Sequence, residues 1–300
     1  MKLDTHVHTV YSGFTTIKPL RRLMRESYNS VEGVYQRAKA RGMDLVAITD
    51  HDTIDGALTI ADRSDVIVGC EVTGVFPNDG VRVHLGVLGL DQAQHREIQK
   101  LRHDVRELMP YLHGERLFVS LNHVASRING EITAAHIAAL MPWLNALEIR
   151  NGSRLPCQNR TADALASAYG KTGIGGSDSH TRRGIGRTWV EAQGVSTREQ
   201  FLEALHAGRV TVGGTQGHYF TMASDIVRMA TGLYADRIRM AVASPGDWRC
   251  HAVLMCGVLG VPLLFTALAA ALGHFILEDR FNRQLLVDLV ARPRAIPEVA

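Results

Sequence analysis

Residues 3–8 read Leu-Asp-Thr-His-Val-His, and residues 173–180 read Gly-Ile-Gly-Gly-Ser-Asp-Ser-His. Each is a short run that ends in two metal-ligating side chains two positions apart. On a strand, side chains at i and i+2 project from the same face, so His6 and His8 point together, as do Asp178 and His180. The pattern recurs outward from these two stretches. Asp50 and His51 follow VAIT, Glu71 follows VIVGC, and His123 follows LFVSLN. Ligand-type residues therefore gather at the C-terminal ends of successive apolar runs, where a β/α barrel builds its active site. His84, inside VRVHLG, is the exception, because its run continues past it.

The spacing predicts strands over 3–8, 44–49, 66–72, 81–88, 117–122, 146–150 and 173–177. Helical patterns fall over 31–41, 131–141, 158–169 and 197–207, and 91–113 reads as a longer charged amphipathic helix outside the sheet. Seven strands with intervening helices favour an α/β barrel over an open doubly wound sheet. After Gly214 the alternation stops. Residues 221–240 read as a charged helix, and 252–272 contain no charged residue.

Composition sets the bounds. The chain has 300 residues, 46% hydrophobic and 21% charged, which excludes disordered and fibrous architectures. Its net charge of +3, from 33 basic and 30 acidic side chains, is too small an excess to argue for nucleic-acid binding on bulk electrostatics. Four cysteines, Cys70, Cys157, Cys250 and Cys256, form no C-x-x-C pair, so a disulfide scaffold is excluded and a reducing compartment fits. Cys70 precedes Glu71 on a strand and should face away from it, into the core.

Imidazoles mixed with carboxylates, without thiolate, suit manganese, zinc or iron rather than magnesium alone. The candidates are too many for one four-coordinate ion and fit two ions sharing a bridging carboxylate, Glu71 or Asp178. Such a pair lowers the pKa of a bound water and clamps the oxygens of a phosphoryl displacement. For His95, His103, His113, His136, His206, His218, His251 and His274, solvated or packing roles are expected.

The motifs DTHVHT, AITDHDT, GCEVT, VHLGVLG, LNHVA and GSDSH, in this order, resemble those of the polymerase and histidinol phosphatase (PHP) superfamily. The resemblance covers residues 1–215. It implies a distorted (β/α)7 barrel, TIM-barrel-like, with a di- or trinuclear metal site that hydrolyses phosphoesters. Carried over position by position, the family's ligands fall on His6, His8, His51, Glu71, His84, His123, Asp178 and His180. One position departs: where the small PHP phosphoesterases place Asp, five residues after the second histidine, this chain has Gly13. Two metals are therefore expected, with a weak or empty third position.

Arg127, Arg154 and Arg183 lie just beyond strand-end motifs, where a guanidinium can grip phosphate bidentately. Arg187, in GIGRTW, is a further candidate, and Asn151 ends a strand facing the same mouth. The expected activity is phosphoester hydrolysis by metal-activated hydroxide on a nucleotide or other small phosphorylated substrate, an oligonucleotide end included, with no side-chain nucleophile. The alternatives are an amidohydrolase-type C–N hydrolase and a non-catalytic metal-binding scaffold. Residues 216–300 read as a C-terminal helical extension. Within it, 252–272 are long enough to cross a ~30 Å hydrocarbon core. The expectation is a cytoplasmic catalytic domain anchored to the inner face of a membrane, with Phe281, Leu285, Leu286 and Leu289 forming an amphipathic segment that rests at the interface or docks back.

Overall fold

The computed structural model describes residues 1–15, 24–126, 132–259, 269, 272–273, 276–285 and 287. The seven expected strands are present as β1 (Lys2–Asp4), β2 (Leu45–Ile48), β3 (Val66–Val75), β4 (Arg82–Leu88), β5 (Phe118–Leu121), β6 (Ala146–Asn151) and β7 (Thr172–Gly176). Two more follow, β8 (Thr188–Glu191) and β9 (Thr211–Gly214). All nine form one sheet in the order β7-β6-β5-β4-β3-β2-β1-β8-β9. A parallel bridge between Val7 and Ser179 brings the β7 end of the sheet back beside β1, so the barrel is nearly closed.

β1, β2 and β3 pair in parallel, as do β5, β6 and β7. β4 runs antiparallel to both its neighbours. This reversal explains His84. The N-terminal half of β4 lies beside the C-terminal halves of β3 and β5, so a ligand inside the run reaches the same mouth as ligands at the ends of the others.

Apolar side chains fill the opposite end. Leu3, Leu45, Ile67, Leu88, Phe118, Ala146, Ile174 and Val190 come from eight different strands and form one buried cluster. Phe201 and Leu205 from α7 (Arg198–His206) join it, so that helix plugs the barrel floor. Above the floor the interior narrows to small residues. A Cβ on Gly86 would stand 2.6 Å from Ser120 Oγ and 2.8 Å from Asn122 Oδ1, and one on Gly176 would overlap the His6 Cβ. Only glycine lets the upper layer of polar side chains settle this close to the wall.

The helices α1 (Val31–Ala40), α2 (Asp55–Leu58), α3 (Gln92–Leu101), α4 (Val105–Gly114), α5 (Ala134–Leu140) and α6 (Pro156–Tyr169) connect the strands. The expected single helix over 91–113 is two. Asp91 caps α3 and Asp104 caps α4, each accepting from backbone N–H groups, so a second helix starts where one was expected to continue. Cys70 is buried in the apolar cluster between β3–β6 and the outer helices, as expected.

The C-terminal third corrects the membrane reading. Among the described residues no helix is long and apolar enough to cross a membrane. The long α8 (Tyr219–Ala243) carries Asp225, Arg228, Asp236, Arg237 and Arg239. The described part of α9 (Trp248–Leu259) has 12 residues, about 18 Å of helix, short of a ~30 Å core. The rest of 252–272, apart from 269 and 272, lies outside the described residues, as do Leu286 and Leu289. The helical segment 276–285 returns to the barrel. Gln158 Nε2 donates to Glu278 Oε2 at 3.0 Å and Asn282 Nδ2 to the Ala125 carbonyl at 3.0 Å. Leu285 is buried in the main apolar cluster, with Phe281 packed against it. Of the amphipathic stretch, Phe281 and Leu285 thus meet protein.

Candidate metal centre

Glu71 stands at the middle of the mouth, fully buried at the end of the inward-facing series Ile67, Gly69, Glu71. Its two oxygens divide the imidazoles. Oε1 lies 3.1 Å from His6 Nε2, 3.3 Å from His84 Nδ1 and 3.1 Å from His123 Nε2. Oε2 lies 3.4 Å from His8 Nε2 and 3.1 Å from His51 Nδ1. Asp178 Oδ1 closes the far side, 3.6 Å from His6 Nε2, 3.5 Å from His8 Nε2 and 3.6 Å from His180 Nδ1. All eight residues picked out as ligands converge here.

Four overlapping triads could each hold a cation: His6–His8–Glu71, His6–His123–Asp178, His51–Glu71–His84 and His8–His51–His180. Within each, the ligand atoms lie within 4.8 Å of one another. Glu71 Oε2 and His84 Nδ1 are buried without a hydrogen-bond partner. Buried polar atoms left in this state are costly unless a cation faces them. The donor set, nitrogen and carboxylate oxygen without sulfur, fits divalent ions such as manganese, zinc or iron.

The electrostatics fit the same arrangement. Burial would raise the Glu71 carboxyl, but His6, His84 and His51 outweigh it and hold the group well below its usual range. Asp178 is likewise held well below, against burial, by Arg154 and His6. Burial and the neighbouring His180 push His8 down to about 3, and burial with His8 pushes His51 well below its ordinary value. These rings therefore present lone pairs. His6 goes the other way: burial opposes its charge, yet Glu71, Asp178 and Glu148 together raise it well above its ordinary value.

Several residues that sequence reasoning missed hold the candidate ligands in place. Glu148 Oε1 lies 2.9 Å from His6 Nδ1, and its Oε2 accepts from the His123 N–H at 3.0 Å. Asn122 Nδ2 donates to Glu71 Oε1 at 3.0 Å. Asp4 accepts from the N–H groups of Ser177 and Gly186, at 2.8 and 2.7 Å, and fastens β1 to the loop after β7. Glu148 follows Leu147 in the run ALEIRN, and an acidic residue inside an apolar strand is the signal that could have found it. Asp50 accepts from Thr9 N, Thr9 Oγ1 and Ser12 Oγ, so it braces the loop after β1 instead of joining a cation triad.

Two of the candidate ligands have unusual backbones. His123 and Asp178 have φ of 28° and 49°, the left-handed region that non-glycine residues seldom adopt. Strain of this kind persists where the surroundings over-determine it, as at binding sites.

The substrate candidates separate. Asn151 is buried and donates to Glu148 Oε2 at 2.8 Å and Asp178 Oδ2 at 3.2 Å. Arg154 pairs with Asp178 Oδ2 at 3.0 Å. Both are thus tied to the ligand carboxylates. Arg183 and Arg187 line a cavity of about 540 Å³, with Arg150, Ser153, Ser177 and His218. Arg127 lies outside the described residues.

The family model described as PHP-associated matches residues 156–210, which run from α6 through β7 and the Asp178–His180 turn to α7. Over that stretch the chain is similar to the PHP-associated family. The chain is 31% identical over 93 residues to an uncharacterised protein of Methanocaldococcus jannaschii, a match that takes in 27% of this chain. It spans about half the length of that curated relative, 53%. Among solved structures it resembles PsfC from Pseudomonas syringae, with a TM-score of 0.53 at 17% identity over 78% of this chain and 98% of that one. At that identity the likeness speaks for the fold. The lesion-specific endonuclease EndoQ from Pyrococcus furiosus matches with a TM-score of 0.45 at 14% identity, over 70% of this chain and 57% of that one.

Proposed function

We propose that this PHP-type chain is a metal-dependent phosphoesterase acting on a small phosphorylated substrate. The observation that carries the reading is Glu71, whose two oxygens face separate sets of imidazoles, as a carboxylate shared between two cations does. Divalent ions bound there would acidify a water and neutralise charge on a phosphoryl group.

The chain's own residues do the rest. Glu148 holds the His6 ring from behind, so that Nε2 faces Glu71 and Asp178. Arg154 and Asn151 fix Asp178 from the other side. The apolar floor beneath the mouth excludes water and strengthens the electrostatic interactions above it. Arg150, Arg183 and Arg187 line the neighbouring cavity, and guanidinium groups suit a phosphate or a second anionic group of the substrate. No serine or cysteine is assigned as a nucleophile.

A screen for phosphate release over mono- and bisphosphorylated nucleotides and sugars, with added manganese, tests the proposal. The expected result is turnover that a chelator removes, and that His6→Ala and Asp178→Ala each abolish while the purified variants stay folded. Hydrolysis of a C–N bond with no phosphatase activity would overturn it in favour of an amidohydrolase. Bound metal with no turnover on any phosphoester would favour a scaffold.

A further inference from the structure

Gly13 occupies the place where a carboxylate is expected, but the chain brings one there from another position. We propose that Glu26 supplies the missing carboxylate and, with His8, His51 and His180, holds a third divalent cation. The inference rests on the metal-centre reading above and deepens it.

Three observations carry it. His8, His51 and His180 form a triad of their own whose ligand atoms lie within 4.8 Å of one another, and it contains no carboxylate. Glu26 Oε1 lies 3.7 Å from His180 Nε2, too far for a hydrogen bond and a suitable separation for two ligands of one ion. His180 Nε2 and Glu26 Oε2 are both buried without a hydrogen-bond partner, so two atoms able to face a cation are left unsatisfied at this corner of the site.

The backbone explains how Glu26 comes to be there. Its N–H donates to the Gly13 carbonyl at 2.9 Å, and Phe14 and Arg25 form an antiparallel bridge beside it. The chain therefore leaves at Gly13 and returns directly opposite it. Ser27 then ties the returning strand to the ligand residues, its Oγ donating to the carbonyls of His8 and His180, at 3.0 and 3.2 Å. Asn29 Nδ2 adds a bond to the His8 carbonyl at 3.1 Å. A hydroxyl and an amide thus fix Glu26 relative to two of the three imidazoles. The nearby Asp50 and Asp225 are engaged elsewhere, Asp50 by Thr9 and Ser12 and Asp225 by Thr181 Oγ1 at 2.7 Å. At Gly13 itself φ is 80°, a conformation that an aspartate adopts only with strain.

The test is metal stoichiometry, measured without reference to turnover. The full chain is stripped with chelator, reloaded with manganese or zinc, desalted, and its metal content determined by elemental analysis beside Glu26→Gln and Glu26→Asp. The expected result is a loss of about one ion per chain in Glu26→Gln, with the weakest binding step at least about tenfold weaker, and partial recovery in Glu26→Asp. Thermal melts of the stripped proteins should coincide, because glutamine keeps the size of the side chain. Anomalous diffraction from the loaded wild-type protein gives a second readout that needs no variant, with a peak in coordination distance of Glu26 and His180. Equal metal content in wild type and Glu26→Gln, or no anomalous peak beside Glu26 while the Glu71 positions are filled, would overturn this inference alone. A wild-type chain that takes up no metal would overturn the metal-centre reading with it.

Discussion

A histidine binds a metal through one ring nitrogen, and the group on the other nitrogen decides how well it does so. For His6 that group is Glu148, buried and 2.9 Å from Nδ1. The same carboxylate holds the His123 N–H and the Asn151 amide, so one side chain orients candidate ligands that follow β1 and β5 together with Asn151 of β6. Glu148→Gln keeps the shape and removes the charge. It should lower metal affinity about 10- to 100-fold, the usual effect of changing an outer partner of a ligating histidine. Calorimetric titration of the stripped protein with zinc measures this directly. Unchanged affinity would mean that the ring is positioned by packing alone.

At the scale of the element, the site depends on strands approaching one another closely. The upper end of β7 touches the chain after β1 through Gly176, whose missing Cβ leaves room for the His6 Cβ and for His6 N, 2.9 Å from the place a Cβ would take. A methyl group there would press on the His6 backbone and Cβ and on Thr5 Oγ1, 3.0 Å away. Gly176→Ala should therefore destabilise the fold by about 1–3 kcal/mol, the range for overpacking a close-packed interior, and should impair metal binding as well. Chemical denaturation and metal content of the same preparation separate the two effects. If Gly176→Ala retained both, the barrel would be more yielding at this seam than its geometry indicates.

At the scale of the whole molecule, two consequences follow. The first concerns pH in the metal-free protein. His8, His51 and His123 have folded pKa values below those of the unfolded chain, so their contribution is fully present above about pH 6.5 and is lost as pH falls. His6 is raised and contributes with the opposite sign, lost as pH rises through its folded value. His206 is lowered in the same way, while Asp4, raised to about 6 by burial, sides with His6, so four lowered histidines oppose these two groups and stability should fall on acidification from pH 7 to 5. The slope is on the order of 1.4 kcal/mol per pH unit for each net proton. Thermal melts in chelator at pH 5, 6 and 7 would show it, and a flat or rising melting temperature on acidification would contradict it. The second consequence concerns the C-terminal segment. Leu285 is buried among barrel-side residues, so Leu285→Ala should cost about 2–4 kcal/mol, as for other buried leucines. A loss within a few tenths of a kcal/mol would mean that residues 276–285 dock only loosely.

The sequence by itself determined the mouth of the barrel. Strand periodicity places ligands on a common face, and ligands at the ends of parallel runs meet at one end, so His6, His8, His51, Glu71, His123, Asp178 and His180 were legible as a set. His84 was legible only through the family resemblance, because its role depends on the direction of β4, and direction is a property of pairing with β3 and β5. The short β8 and β9 likewise depend on pairing: β8 adds to the edge of β1, and β9 adds to β8. Tertiary structure alone decided where Glu148, Asn122 and Glu26 point, since each acts on a residue distant in sequence. It also decided where residues 276–285 lie. An amphipathic face reads the same to a lipid surface and to a protein core, and the contacts of Glu278, Asn282 and Leu285 with the barrel distinguish the two for this segment.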